Sequence, residues 1–217
     1  MGIFSNLFGG SKEDEGAKAL KEAFSLIQRV IEDEEFQLEF VHPVMKKMIE
    51  AGPVFDRNPK GTGPFGFVDT NPIPVNGPIG ELAYLSRLET SSGQRLLFHR
   101  LGSIGTIDAF EAVSFDGKDW FVFFVDFYHP KKSRVAPEGL RFTKDLAQFS
   151  GFTSHCENFP YDFIEKKSAQ PSSPVSLAYI AMSKVSPFLQ AKVYKRPLAH
   201  KAKLDLVMSR VSGVLAK

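Results

Sequence analysis

The side chains best suited to catalysis are an aspartate and a histidine that follow the most apolar run of the chain. Asp126 and His129 come after residues 120–125, and His99 lies in an earlier strand-like run. Two imidazoles and one carboxylate can hold a metal ion or serve as acid and base in a hydrolase-like site. A regular strand places Asp126 and His129 on opposite faces, so only a bend at Pro130 brings them together. These three residues are catalytic candidates on that condition, and we expect no resident metal or cofactor.

Polar side chains in three other regions would line a pocket if those regions converged. The proline-rich segment 52–80 supplies a carboxylate and two amides, and two arginines lie near His99 and after the apolar run. Arginine can bind an anion with two parallel hydrogen bonds. The alternative is that these groups serve turns and surface ion pairs. The candidate ligand-binding residues are Asp69, Asn71, Asn76, Arg100 and Arg134.

Three short motifs resemble catalytic signatures but lack the context that the chemistry requires. Residues 61–66 match G-x-G-x-x-G, yet prolines flank them where dinucleotide binding needs a strand and a helix. Ser103 lacks the first glycine of a nucleophile elbow. Cys156 adjoins His155, and sequence neighbours rarely orient thiol and imidazole for proton transfer. The leading hypothesis is therefore a non-enzymatic binding or protein-interaction domain, with a hydrolase-like enzyme as the alternative.

Charge is unevenly distributed along the chain although the net charge is only +2. Residues 1–50 carry 6 basic and 10 acidic side chains, whereas residues 181–217 carry 8 and 1. The two ends can attract each other, or the basic end can bind an anionic surface. Few aromatic residues accompany the basic end, which disfavours nucleic acid as a partner. The residues for anion binding would be Lys195, Arg196, Lys201 and Lys203.

Length and composition predict a soluble globular protein. The chain has 217 residues, 43% of them apolar and 24% charged, which is typical of one folded domain over residues 1–217. No apolar run approaches the roughly twenty residues of a membrane helix, and no secretory signal is recognisable. A single cysteine excludes an internal disulfide. We therefore expect a cytoplasmic protein with a protein or small-molecule partner.

The first ten residues form a short apolar pattern that two glycines end. Such a pattern predicts a mobile tail, a segment docked on its own domain, or a surface hook for a partner or membrane. The apolar residues are Ile3, Phe4, Leu7 and Phe8.

The elements that must position these residues form an α+β domain. Turn signals at residues 91–94 and 116–118 predict an antiparallel β-meander over about 79–128, with its first strand at Leu82–Glu89. The run Trp120–Val125 is apolar on both faces, so it requires cover on each side. Helices predicted at the N- and C-terminal ends supply that cover.

The segment 52–80 is rich in proline and glycine. Proline fixes φ, so we expect this segment to be irregular in backbone but ordered. The pattern over residues 131–196 does not decide between helix, strand and loop.

Overall fold

A computed structural model describes residues 22, 25, 26, 28–143, 159 and 194–215, with side chains of the last helix up to Val211. The predicted tail at residues 1–10, with Ile3, Phe4, Leu7 and Phe8, lies outside the described residues. His155 and Cys156 lie outside them as well.

The described residues form five helices and six strands. The helices are α1 (28–32), α2 (Glu34–Leu38), α3 (Pro43–Glu50), α4 (Gly77–Ser86) and α5 (Leu198–Leu215). The strands are β1 (Ile73–Pro74), β2 (Leu88–Thr90), β3 (Leu96–Ile104), β4 (Ile107–Ser114), β5 (Trp120–Asp126) and β6 (Leu140–Phe142).

The main sheet has four strands in the order β1-β5-β4-β3. Strands β3, β4 and β5 pair antiparallel as consecutive hairpins, whereas the short β1 adds to β5 in parallel. A second sheet pairs β2 with β6 antiparallel. The mixed content and mostly antiparallel main sheet confirm the predicted α+β class.

The hairpin between β4 and β5 is the element that its sequence predicts best. Ser114 Oγ bonds Asp116, and Gly117 adopts φ +80° in the turn. Aspartate followed by glycine favours this geometry because glycine reaches positive φ without a steric penalty. The hairpin fixes the register that sets Phe110 opposite Phe123.

The predicted first strand at Leu82–Glu89 is wrong over most of its length, because residues 77–86 form helix α4. Eight of the ten residues of α4 are buried, so the helix lacks the exposed polar face that produces a helical hydrophobic period. Periodicity cannot separate a fully buried helix from a buried strand. Extended structure begins only at Leu88, and the predicted turn follows, with Gly93 N donating to Thr90 O. The meander therefore spans β3 to β5.

Helices cover both faces of the main sheet, as the two-sided apolar pattern of β5 predicts. On one face, Tyr84 and Leu85 of α4 share a core cluster with Phe98, Phe110 and Phe123. Val30 and Phe36, from α1 and α2, join the same cluster. On the other face, Val207 and Val211 of α5 pack against Ala109, Val122 and Phe124.

The segment between α3 and β1 is fixed by contacts with the end of β5. Gly66 O accepts from Phe124 N, and Val75 N donates to Asp126 O. Phe65 is buried in the core. These contacts position β1 and the residues that follow β5.

A β-bulge in β3 lets α5 approach the sheet closely. Gly102 lies at the bulge with φ +147°, and a Cβ there would sit 2.4 Å from Cγ1 of Val211. Gly105 also has positive φ, at +64°, but a Cβ there would meet nothing within 4 Å. A side chain at Gly105 would therefore meet only the backbone strain of positive φ, whereas a side chain at Gly102 would also clash with Val211.

We predict that Gly102→Ala lowers the free energy of unfolding by about 3 kcal/mol, because strain and a clash add. The matched control Gly105→Ala should cost about 1 kcal/mol, from backbone strain alone. Urea denaturation measures both values. Val211→Ala should recover part of the loss in a Gly102→Ala background; a fully additive double variant would contradict the packing explanation.

Candidate functional site

Asp126 and His129 meet because the chain bends after β5. His129 Nε2 lies 3.2 Å from Asp126 Oδ2, and Asp126 Oδ1 accepts from Tyr128 N at 3.1 Å. His129 Nδ1 lies 2.8 Å from Pro53 O. Both ring nitrogens thus face acceptors, which favours the doubly protonated imidazolium.

The electrostatics of His129 agree with this arrangement. Burial alone would lower its pKa, but the hydrogen bonds to Asp126 and to the Pro53 carbonyl outweigh burial and raise the pKa. A charged imidazole with both nitrogens engaged has no lone pair to accept a proton. The pair therefore fastens residue 53 to the end of β5.

His99 lies elsewhere in the sheet. It pairs with Glu111 across β3 and β4, and Glu111 pairs with Val122. Val122 precedes Asp126 by four residues, about 13 Å along a strand. The structure therefore does not bring the three catalytic candidates together. Among the described residues, no group of three His, Cys, Asp or Glu side chains is arranged to hold a metal.

The charged residues among the ligand-binding candidates each have a separate partner. Arg100 Nη2 donates to Asp108 Oδ1 at 3.0 Å, and Arg134 Nη2 to Asp56 Oδ2 at 2.8 Å. Asp69 accepts from Arg210 of α5. These ion pairs link elements of the fold.

The two amide candidates hold backbone and buried polar groups. Asn71 Nδ2 donates to Gly63 O at 2.9 Å, which closes a turn of the proline-rich segment. Asn76 Nδ2 donates to Gln37 Oε1 at 2.6 Å, and Lys132 Nζ reaches the same oxygen at 3.1 Å. These structural roles account for both amide nitrogens, whereas the buried Oδ1 atoms of Asn71 and Asn76 have no hydrogen-bond partner among the described residues.

The basic residues near α5 are not equivalent. Lys195, Lys201 and Lys203 are exposed, whereas Arg196 is half-buried and bonds Glu111. Lys203 Nζ lies 6.0 Å from the centre of the Phe67 ring, and burial lowers its pKa. Arg196 is thus committed to an internal ion pair.

One buried acid has an oxygen that no described residue bonds. Glu81 of α4 is 3% exposed, and its Oε1 lacks a hydrogen-bond partner there. Burial first, and then the Asp108 carboxylate, raise its pKa well above the ordinary range. Burial and the neighbouring carboxylate therefore disfavour the charged form of Glu81.

A cluster around Glu111 is the most elaborate polar site in the described part of the chain. Glu111 of β4 is completely buried, and its carboxylate accepts four hydrogen bonds. Arg196 donates to Oε1 from Nε at 2.6 Å and to Oε2 from Nη2 at 2.9 Å. His200 Nε2 lies 2.9 Å from Oε1, and His99 Nε2 lies 3.0 Å from Oε2. The Glu111 carboxylate of β4 thus bonds residues from β3 and from the start of α5.

The four donors keep Glu111 ionised. Burial would raise its pKa, but hydrogen bonds from His200, His99 and Arg196 hold the pKa well below its usual range. Each oxygen already accepts two charge-assisted or polar bonds. The carboxylate is therefore a fixed negative anchor.

An aromatic slot lies beside this anchor. It consists of the side chains of His99, Trp120 and Arg196, and Phe159 occupies it. The Phe159 ring stacks on His99 with centroids 4.3 Å apart and meets Trp120 edge to face at 5.9 Å. The Arg196 guanidinium carbon lies 5.4 Å from the centre of the Phe159 ring.

The walls of the aromatic slot are fixed by bonds that do not involve Phe159. His99 and Arg196 are held by Glu111, and Trp120 Nε1 donates to Gly117 O at 3.2 Å. The side chains of His99 and Arg196 are 23% and 24% exposed, so solvent reaches the edge of the slot. The slot is a preorganised surface feature.

Sequence reasoning missed Glu111 as a functional residue because its partners are remote. Arg196 and His200 lie 85 and 89 residues further along the chain. One local signal was present: Glu111 shares a strand face with Ala109 and Val113, which are apolar. An acid on an apolar face needs buried partners.

Comparisons with protein-family models, curated proteins and solved structures find no match to this chain. None of the helices in the described ranges has the length and apolar character needed to span a bilayer. The function must therefore be argued from the site itself.

We predict that Glu111→Gln lowers the free energy of unfolding by about 3–5 kcal/mol, because Arg196 loses its buried counter-charge. The depressed pKa of Glu111 stabilises the fold above the ordinary glutamate pKa, and this contribution is lost as pH falls. The stability difference between wild type and variant should therefore shrink below about pH 4.3. Urea denaturation across pH tests this, with Arg134→Lys as an exposed ion-pair control. A difference that persists unchanged into strong acid would refute the assignment.

The raised pKa of His129 predicts the opposite pH dependence. Its contribution to stability is present below the ordinary histidine pKa of about 6.5 and is lost as pH rises through the raised value. Asp126→Asn removes the charge that favours the imidazolium. The stability advantage of wild type over Asp126→Asn should thus decline at alkaline pH in urea denaturation. A constant advantage over that pH range would contradict the charged pair.

Proposed function

We propose that this protein is a non-enzymatic binding domain whose ligand docks at the aromatic slot of His99, Trp120 and Arg196. One observation supports this most directly. The slot is lined by large polar-aromatic side chains, is partly open to solvent, and is fixed by the buried Glu111 carboxylate. Preorganised aromatic and arginine groups are the side chains that dominate binding energy at recognition sites.

Binding has more support than catalysis because the titratable groups are engaged in internal bonds both beside the slot and at the other end of β5. A general acid or base must release and regain a proton at its reacting atom. Glu111 accepts four hydrogen bonds, and both nitrogens of His129 face acceptors. The hydrolase-like alternative also needs His99 beside Asp126, and the register separates them.

The anionic-surface alternative has less support for a similar reason. Of its four basic residues, Arg196 is bound to Glu111, which leaves the exposed Lys195, Lys201 and Lys203. Three exposed lysines give only modest attraction at physiological salt. A cytoplasmic setting is consistent with the lone Cys156, which needs no oxidising compartment.

The test is a thermal-shift screen of full-length protein against a broad panel of small molecules and purified proteins. A ligand of the folded state raises the melting temperature. We expect hits whose shift is lost in Arg196→Lys, which keeps a positive charge but loses the planar guanidinium. Arg134→Lys is the matched control and should respond like wild type.

Two outcomes would count against the proposal. A panel without any hit would remove the evidence for a binding function. Hits that shift wild type and Arg196→Lys equally would place the ligand away from the aromatic slot. Circular dichroism and melting of the unliganded variants verify that both are folded.

A further inference from the structure

The way Phe159 sits in the aromatic slot indicates what the slot recognises. The ring is stacked at 19° on the imidazole of His99 and perpendicular, at 90°, to the indole of Trp120. These are the two arrangements that aromatic pairs prefer. The guanidinium of Arg196 lies within cation–π range of the same ring. Each of these three contacts depends on an aromatic ring. The slot therefore favours an aromatic ring over an aliphatic group of similar size.

The floor and the rim of the slot differ in polarity. Leu97 and Val113 are buried in the same cluster as Trp120 and Phe159, and they form the apolar floor. The rim carries His99 and Arg196, both of which bond to the Glu111 carboxylate. A flat ring can contact both levels at once, with its lower edge on the aliphatic floor and its face against the rim.

Phe159 belongs to none of the described strands or helices. It lies 16 residues after Thr143, where β6 has ended, and 35 residues before Tyr194. Withdrawing its ring therefore breaks none of the strand pairings of the two sheets, and the bonds that fix the walls remain. A residue of the same chain also competes at high effective concentration.

We propose that the aromatic slot binds a planar aromatic ring, and that Phe159 is an internal competitor that the ligand must displace. This inference rests on the proposed binding function and names its ligand class. A slot occupied by its own chain lowers the apparent affinity by the fraction of molecules in which it is vacant. Removing the Phe159 ring should therefore strengthen binding.

The experiment uses full-length protein and its only tryptophan, Trp120, as a fluorescent reporter within the slot. Benzyl alcohol is the probe, and cyclohexylmethanol is the matched control with the same substituent on a saturated ring. We expect Phe159→Ala to bind benzyl alcohol at least about tenfold more tightly than wild type. The same variant should bind cyclohexylmethanol at least about fivefold more weakly than benzyl alcohol.

A second variant keeps the test decisive if Phe159→Ala does not fold. Phe159→Leu retains an apolar side chain and removes the ring contacts, so it should also bind benzyl alcohol more tightly than wild type. Equal binding of both alcohols would show a simple apolar cavity and overturn the ring assignment. Equal affinity in wild type and variants, or no binding by a folded variant, would overturn the competitor role.

The two proposals fail in different ways. If benzyl alcohol does not bind but panel ligands still depend on Arg196, the aromatic ligand class is wrong and the binding function stands. If none of the panel ligands depends on Arg196, the proposed function fails, whatever the alcohols do.

Discussion

One buried carboxylate, Glu111, determines how the C-terminal helix meets the sheet. Burying an unpaired charge costs several kcal/mol, so the folded state requires its donors to be present. Those donors come from β3 and from the start of α5, and they leave each carboxylate oxygen with two bonds. Glu111 can therefore be buried with its bonds satisfied only when α5 packs on the sheet. The aromatic slot follows from it, because the same bonds orient His99 and Arg196.

Strand β5 connects this anchor to a second charged contact at its other end. Trp120 begins the strand beside the slot, and Asp126 ends it beside His129. The His129 imidazole bonds the carbonyl of Pro53. The segment between α3 and β1 is therefore held on the sheet by this hydrogen bond as well as by the buried Phe65 ring. The Arg196–Glu111 pair beside one end of β5 and the Asp126–His129 pair at the other end therefore each hold a distant chain segment on the sheet. The apolar middle of the strand supplies the core between them.

The parts of this fold that were predictable from sequence are those with local causes. Asp116 and Gly117 specify their hairpin within a few residues, and the two-sided apolar run of β5 requires cover on both faces. Helix α4 was misread because burial on nearly all sides removes the helical period. The meeting of Asp126 and His129 was conditional on a bend, which the structure contains. Glu111 was missed because its partners lie 85 and 89 residues away, a separation that no local pattern encodes.

The same electrostatics favour the proposed binding role over a catalytic one. A group that works as an acid or base needs a pKa near the working pH and an unoccupied position at the reacting atom. The Glu111 carboxylate has neither, since its donors depress its pKa and occupy its oxygens. The fully bonded Glu111 carboxylate makes the slot rigid, because moving His99 or Arg196 away would leave a buried anion with fewer hydrogen bonds. Rigid walls lower the entropic cost of capturing a ligand. The feature that disqualifies Glu111 as a catalyst is therefore the one that suits the slot to binding.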